Sequence, residues 1–197
     1  MTGISRGLRG GATWLCLAAA ACGGRSAPER EAGVGPTPFR IVSLQEAIVL
    51  ETAGPPPTDT SVTFHTGERR VIVLRHGPPT NVTFAELLFT PNAFGPDSGR
   101  EVTVEVRPRP GVYGVDVATT LPFRAGASLS FTYARYFSAP ARARVVYGGD
   151  VQFEQALAIG QLRPNGLLAL LPSTRPALDM MTAAMQGPGS YLMAAPQ

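Results

Sequence analysis

The side chains that could do chemistry in this chain are few and scattered. Two histidines, His65 and His76, lie far apart on separate apolar runs. They make none of the H-x-x-x-H or H-E-x-x-H spacings that would set a metal pair on one face of a helix. Polar positions at the edges of strands are the reading they support. Asp97, Asp116, Asp150 and Asp179 have no calcium-loop spacing. Paired carboxylates for glycosidic chemistry could be assembled only by the fold, and no spacing favours them. The run Gly187-Pro188-Gly189-Ser190-Tyr191 lacks the closing glycine of a nucleophile elbow. No phosphate-cradling glycine loop is present. Met180, Met181 and Met185 carry the soft thioethers that suit Cu(I). Met181 and Met185 also share one face of a helix, the spacing of flexible filler packed on a core, and core packing is the expectation. Asn81-Val82-Thr83 is a glycosylation sequon by pattern only. The two cysteines are Cys16 and Cys22, so everything beyond them lacks both a thiol nucleophile and a disulfide. No catalytic residue, cofactor or metal ligand is therefore expected, and no enzymatic activity.

The elements that would position any site are short and β-like. The 197 residues are 44% hydrophobic and 16% charged, enough for a packed core and too apolar for disorder. Twenty-two glycines and 19 prolines argue against a helical bundle. Val102, Val104 and Val106 alternate with Thr103, Glu105 and Arg107, as in a strand with one buried face. Leu129, Phe131 and Tyr133 alternate with Ser128, Ser130 and Thr132 in the same way. Arg70–Leu74 reads as a buried strand, and Val145–Tyr147, Phe153–Ile159 and Leu167–Leu171 continue the series. Gly- and Pro-rich breakers recur about every 8 to 12 residues, the mark of an antiparallel sandwich or barrel. Ser173–Gln186, with an early Pro176 and Gly187-Pro188-Gly189 after it, predicts one short C-terminal helix. A last strand is expected at Tyr191–Ala194. The fold class expected is all-β: an antiparallel, immunoglobulin-like sandwich with that one helix.

The amino-terminal residues read as an address. Arg6 and Arg9 precede a short apolar run, Gly11–Ala21. Ala19-Ala20-Ala21-Cys22-Gly23 follows, and small residues directly before a cysteine resemble the lipobox of bacterial lipoproteins. That resemblance implies cleavage before Cys22 and acylation of Cys22 on its thiol and new amino group. The alternative is an ordinary secretory signal cleaved at an A-x-A site, with Cys22 incidental. Gly23, where a retention aspartate would stand in inner-membrane lipoproteins, favours the outer membrane by the same resemblance. The expected organisation is a signal peptide over 1–21, a lipidated Cys22 with a flexible linker over 22–38, and a sandwich domain over 39–197. All 17 basic residues are arginine. Loss of Arg6 and Arg9 with the signal lowers the net charge from +3 to +1. No basic stripe remains to bind nucleic acid.

One further resemblance covers about half of the expected domain. Its motifs are Leu88–Phe94 with Pro91-Asn92-Ala93-Phe94, then Val102–Val106, then Leu121-Pro122-Phe123, then Ser128–Tyr133, and finally Gly189-Ser190-Tyr191-Leu192. In this order they resemble the sandwich domain of zona-occludens proteins, netrin receptors and ankyrins, which also occurs in bacterial extracellular proteins. That family implies interaction or scaffold roles, and no catalytic residue. The expectation is a lipid-anchored cell-envelope protein, attached to a membrane, whose sandwich binds another envelope protein or polymer. The loops Gly77–Asn81 and Asn92–Arg100 are its candidate contacts. An envelope hydrolase, or a small-ligand or metal carrier, is the alternative. A pocket with convergent carboxylates or a histidine would favour that alternative.

Overall fold

A computed structural model describes residues 36–197. The expected signal over 1–21, Cys22 and the linker up to residue 35 lie outside the described residues. Two antiparallel sheets carry the fold. The strands are β1 (Arg40–Ser43), β2 (Ala47–Val49), β3 (Glu51–Thr52), β4 (Thr60–His65), β5 (Arg70–Arg75), β6 (Thr83–Phe89), β7 (Glu101–Pro108), β8 (Gly114–Thr119), β9 (Ala127–Thr132) and β10 (Phe137–Ser138). Helices α1 (Ala141–Tyr147) and α2 (Asp150–Ala156) follow, and then β11 (Ala158–Leu162), β12 (Leu167–Leu170), β13 (Ser173–Ala177), β14 (Met180–Ala184) and β15 (Gly189–Pro196). The larger sheet runs β1-β12-β11-β15-β8-β7-β4, with β2 also paired to β15. The smaller runs β13-β14-β9-β6-β5. This is the expected β-sandwich with a short helical segment.

Alternation in the sequence sets which face each strand buries. Val102, Val104 and Val106 are fully buried on β7, and Leu129 and Phe131 on β9. They face one another across the sandwich with Leu87, Phe89, Val115 and Tyr191. Each such side chain contributes about 1.5–3 kcal/mol by leaving water. A second apolar cluster of Leu168, Leu170, Leu192 and Ala194 lies on the opposite face of the larger sheet. β1 pairs with β12 and β2 with β15, yet only Leu44–Glu46 separate them. That short bridge pulls two distant strands together, so this end of the sheet curls around the second cluster.

Two expected elements are corrected. Residues 173–186 form no helix; they are the β13–β14 hairpin, with Leu178 and Asp179 at its turn. The i, i+4 spacing of Met181 and Met185 fits a helix, but it is also two periods of a strand. Ala183 between them is buried too, and the alternation of Met181, Ala183 and Met185 inward belongs to a strand. Pro176 is tolerated because β13 is an edge, where no partner needs its missing N–H. Conversely, Val145–Tyr147 and Phe153–Ala156 are helical. Pro140 precedes α1, and Gly148, at φ 77°, closes it in the left-handed conformation. Ala143 and Phe153 are the buried contacts of the two helices, while Val145 is left 85% exposed. The valines that suggested a strand are therefore surface residues. Only from Ala158 does the chain return to strand.

Candidate functional site

A bulge in the smaller sheet prepares the most chemically equipped cleft. Leu74 pairs with Ala85 and Arg75 with Thr83, so Phe84 has no opposite residue on β5. Bulges turn side chains off the alternation. Phe84 is fully buried, stacked on Tyr113 at 5.3 Å and edge-on to Phe131 at 5.6 Å. Directly after β5 comes His76, edge-on to Phe84 at 5.1 Å and to Tyr136 at 4.6 Å. The expectation of an exposed strand-edge histidine holds for His65, which is exposed at the end of β4. It fails for His76, which is only 1% exposed. His76 carries the in–out alternation of β5 one residue past its end: Ile72, Leu74 and His76 are buried while Val73 and Arg75 are exposed, and the backbone N–H of His76 still donates to the Val82 carbonyl.

The tautomer of His76 follows from its one partner. Nδ1 lies 2.8 Å from the Pro55 carbonyl oxygen, which can only accept. Nδ1 therefore carries the proton and donates it. Nε2 is then the bare nitrogen of the neutral ring, and it is buried with no hydrogen-bond partner among the described residues. Gly54 makes this placement possible. A Cβ there would lie 2.8 Å from His76 Cε1 and 2.5 Å from Tyr136 Cδ2. The Gly54-Pro55-Pro56-Pro57 breaker thus supplies both the space and the acceptor.

Around His76 opens a cleft of about 440 Å³. Two carboxylates reach it from different elements: Glu86 from β6, and Asp179 from the β13–β14 turn. Both are half-buried. Arg135 supplies the one cation, its guanidinium 6.0 Å from the centre of the Tyr136 ring. Among the described residues none of these three charges makes an ion pair. The Tyr136 hydroxyl is tied to Thr80 at 2.7 Å, so the loop Gly77–Asn81 does border this cleft. The Tyr113 hydroxyl donates to the Tyr133 carbonyl at 3.1 Å. Burial pushes the Tyr113 hydroxyl up to about 12, so it stays a neutral donor. Tyr133, donating to Glu154 Oε1 at 2.9 Å, is likewise raised to about 12, chiefly by burial. The cleft therefore offers one bare imidazole acceptor, two carboxylates, one guanidinium and aromatic walls.

The methionines divide. Met181 and Met185 are sealed in the core, while Met180 is half-buried at the cleft. Among the described residues no group of three or more His, Cys, Asp or Glu is placed to hold a metal ion. Sequence reasoning missed this cleft because its parts come from five separated segments. The local signal was the pair of breakers, Gly54-Pro55 and Gly77-Pro78, the second directly following His76. Comparison with protein-family models, with curated proteins and with solved structures finds no match.

Proposed function

We propose that this chain is a lipid-anchored protein of the bacterial cell envelope whose β-sandwich is a binding module, and that the His76 cleft recognises a group on an envelope protein or polymer. The supporting observation is the half-satisfied imidazole. A buried polar nitrogen without a partner costs about 1–3 kcal/mol, and a fold retains such a cost where a ligand supplies the missing donor. An O–H or N–H reaching Nε2, with its charge met by Glu86, Asp179 or Arg135, is the contact this set favours. The anchor at Cys22, the outer-membrane site and the likeness to the zona-occludens-type sandwich belong to the proposal. The scaffold role implied by that likeness is of the same class.

A second reading rests on Glu86 and Asp179 sharing the cleft with His76. Two carboxylates and a base are the inventory of an envelope hydrolase. The two readings part in one experiment. The tagged, lipidated protein is isolated from its native envelope after mild cross-linking, beside His76→Phe, Glu86→Gln and Asp179→Asn. A partner recovered near stoichiometry with wild type and lost with His76→Phe supports the binding module. A partner captured only by the carboxylate variants, and released cleaved by wild type, supports the hydrolase. Recovery of the same partner from wild type and His76→Phe overturns the cleft as the contact.

A further inference from the structure

The end of the sandwich away from His76 carries a different constellation. β8 and β9 run between the two ends. Tyr113, Thr132 and Asp179 lie at the cleft, and Pro122, Arg124 and Gln186 lie beyond the opposite strand ends. There three turns surround an open groove of about 720 Å³: β8–β9, β11–β12 and β14–β15. Among the described residues the charged side chains lining it are Arg124 and Arg163, and no acid lines it. Among the described residues neither arginine pairs with a carboxylate. Arg163 donates to Gln186 Oε1 at 2.7 Å, a neutral partner that orients the guanidinium and leaves its charge unspent.

Gln161 lines the same groove and is only 5% exposed. Its Nε2 donates to the Pro188 carbonyl at 3.4 Å, which identifies Oε1 as the other end of the amide. Oε1 is buried and has no partner among the described residues. The wall beside it is bare backbone. Gly187 and Gly189 hold φ 138° and 141°, a region that side chains rarely adopt. The Tyr191 hydroxyl fixes this turn, donating to the Gly187 carbonyl at 2.5 Å and accepting from the Gln186 N–H at 3.2 Å.

We propose that this groove is a second binding site, for an anionic ligand bearing hydroxyls: a carboxylate or phosphate carried on a sugar or polyol. The arginines fit the acid, because a guanidinium presents a planar fork of donors to carboxylate and phosphate alike. Gln161 Oε1 fits a neighbouring hydroxyl, because it can only accept. An anion without an O–H, such as sulfate, would leave that acceptor unmet, and a neutral sugar would leave both cations unmet. The site stands apart from His76.

The test is titration of the detergent-solubilised full chain with four probes: glucuronate, glycerol 3-phosphate, glucose and sulfate. Glucuronate or glycerol 3-phosphate is expected to bind about tenfold or more tightly than either control, and which of the two wins identifies carboxylate or phosphate as the acid. Arg124→Gln, at an exposed position, and Arg163→Gln each lower that affinity about tenfold. Gln161→Leu removes the preference over sulfate. His76→Phe leaves all four affinities unchanged, which separates this site from the cleft. No preference for the hydroxylated acids, or a preference that survives Arg124→Gln and Arg163→Gln, overturns the proposal. Should Gln161→Leu fail to fold, the two arginine variants and the probe ranking decide alone.

Discussion

His76→Phe separates a ligand-facing histidine from a structural one by magnitude. The substitution keeps an aromatic ring against Phe84 and Tyr136. It removes the Nδ1 bond to Pro55, a net loss of about 1 kcal/mol, and leaves the Pro55 carbonyl unmet at about 1–3 kcal/mol more. It also abolishes the buried, partnerless Nε2, returning about 1–3 kcal/mol of desolvation. The last two terms offset each other, and the balance is a destabilisation of about 1 kcal/mol. Phe84 is buried to the same degree but has nothing to return, so Phe84→Ala costs about 3–5 kcal/mol. Urea unfolding of the three proteins, compared at equal slope, reads these differences directly. His76→Phe is expected to melt about 2–4 °C below wild type and to lose cross-linking to its partner. A loss of stability as large as that of Phe84→Ala would show that His76 is a core strut, and the reasoning from its bare nitrogen would fail.

Other consequences follow from the same geometry. Tyr113, Tyr133 and Tyr191 have hydroxyls raised by burial to about 12 from the usual 10. A raised acid lends its stability in full below pH 10 and loses it as pH climbs towards 12. Alkaline unfolding should coincide with the phenolate absorbance of these tyrosines, and their titration near pH 10 in a folded chain would contradict it. Gly54→Ala drives a methyl into His76 and Tyr136, and should abolish cleft binding. Intact binding would mean that the aromatic wall yields freely. Met181→Ala, in a fully buried strand position, should cost about 2–5 kcal/mol, whereas Leu178→Ala, 94% exposed, should cost less than about 0.5 kcal/mol. Equal effects by chemical denaturation would refute the strand assignment of this segment. Cys22→Ser should abolish acyl labelling and release the protein from the membrane fraction, and membrane retention at unchanged mass would refute the anchor.

The parts of this fold legible in the sequence are those where one face is buried and the other wet. Val102, Val104 and Val106 announced β7, because an alternation sustained over three pairs fits only a strand. Ambiguity began where two periods coincide. Met181 and Met185 satisfy both, and the deciding residue is the small Ala183, whose burial depends on β9 beside it. The valines of α1 misled for the opposite reason. Their β-branched shape suits a strand, but Ala143 and the closing Gly148 govern that turn, and the valines face solvent. The cleft was illegible for a topological reason. Nothing local links Glu86 to Asp179; pairing of β6 and β14 on either side of β9 brings them to one end. The inward turn of His76 depends equally on Gly54, which is remote in sequence.

The most direct test of the cleft as the binding surface is photo-cross-linking in the native envelope. A photoreactive amino acid replaces Thr83 at the cleft, or Thr63 on the exposed face of β4. One discrete adduct from position 83, absent from position 63 and absent when His76→Phe is combined with it, is the predicted result. Adducts of equal yield from both positions, or an adduct at 83 that survives His76→Phe, would contradict the account.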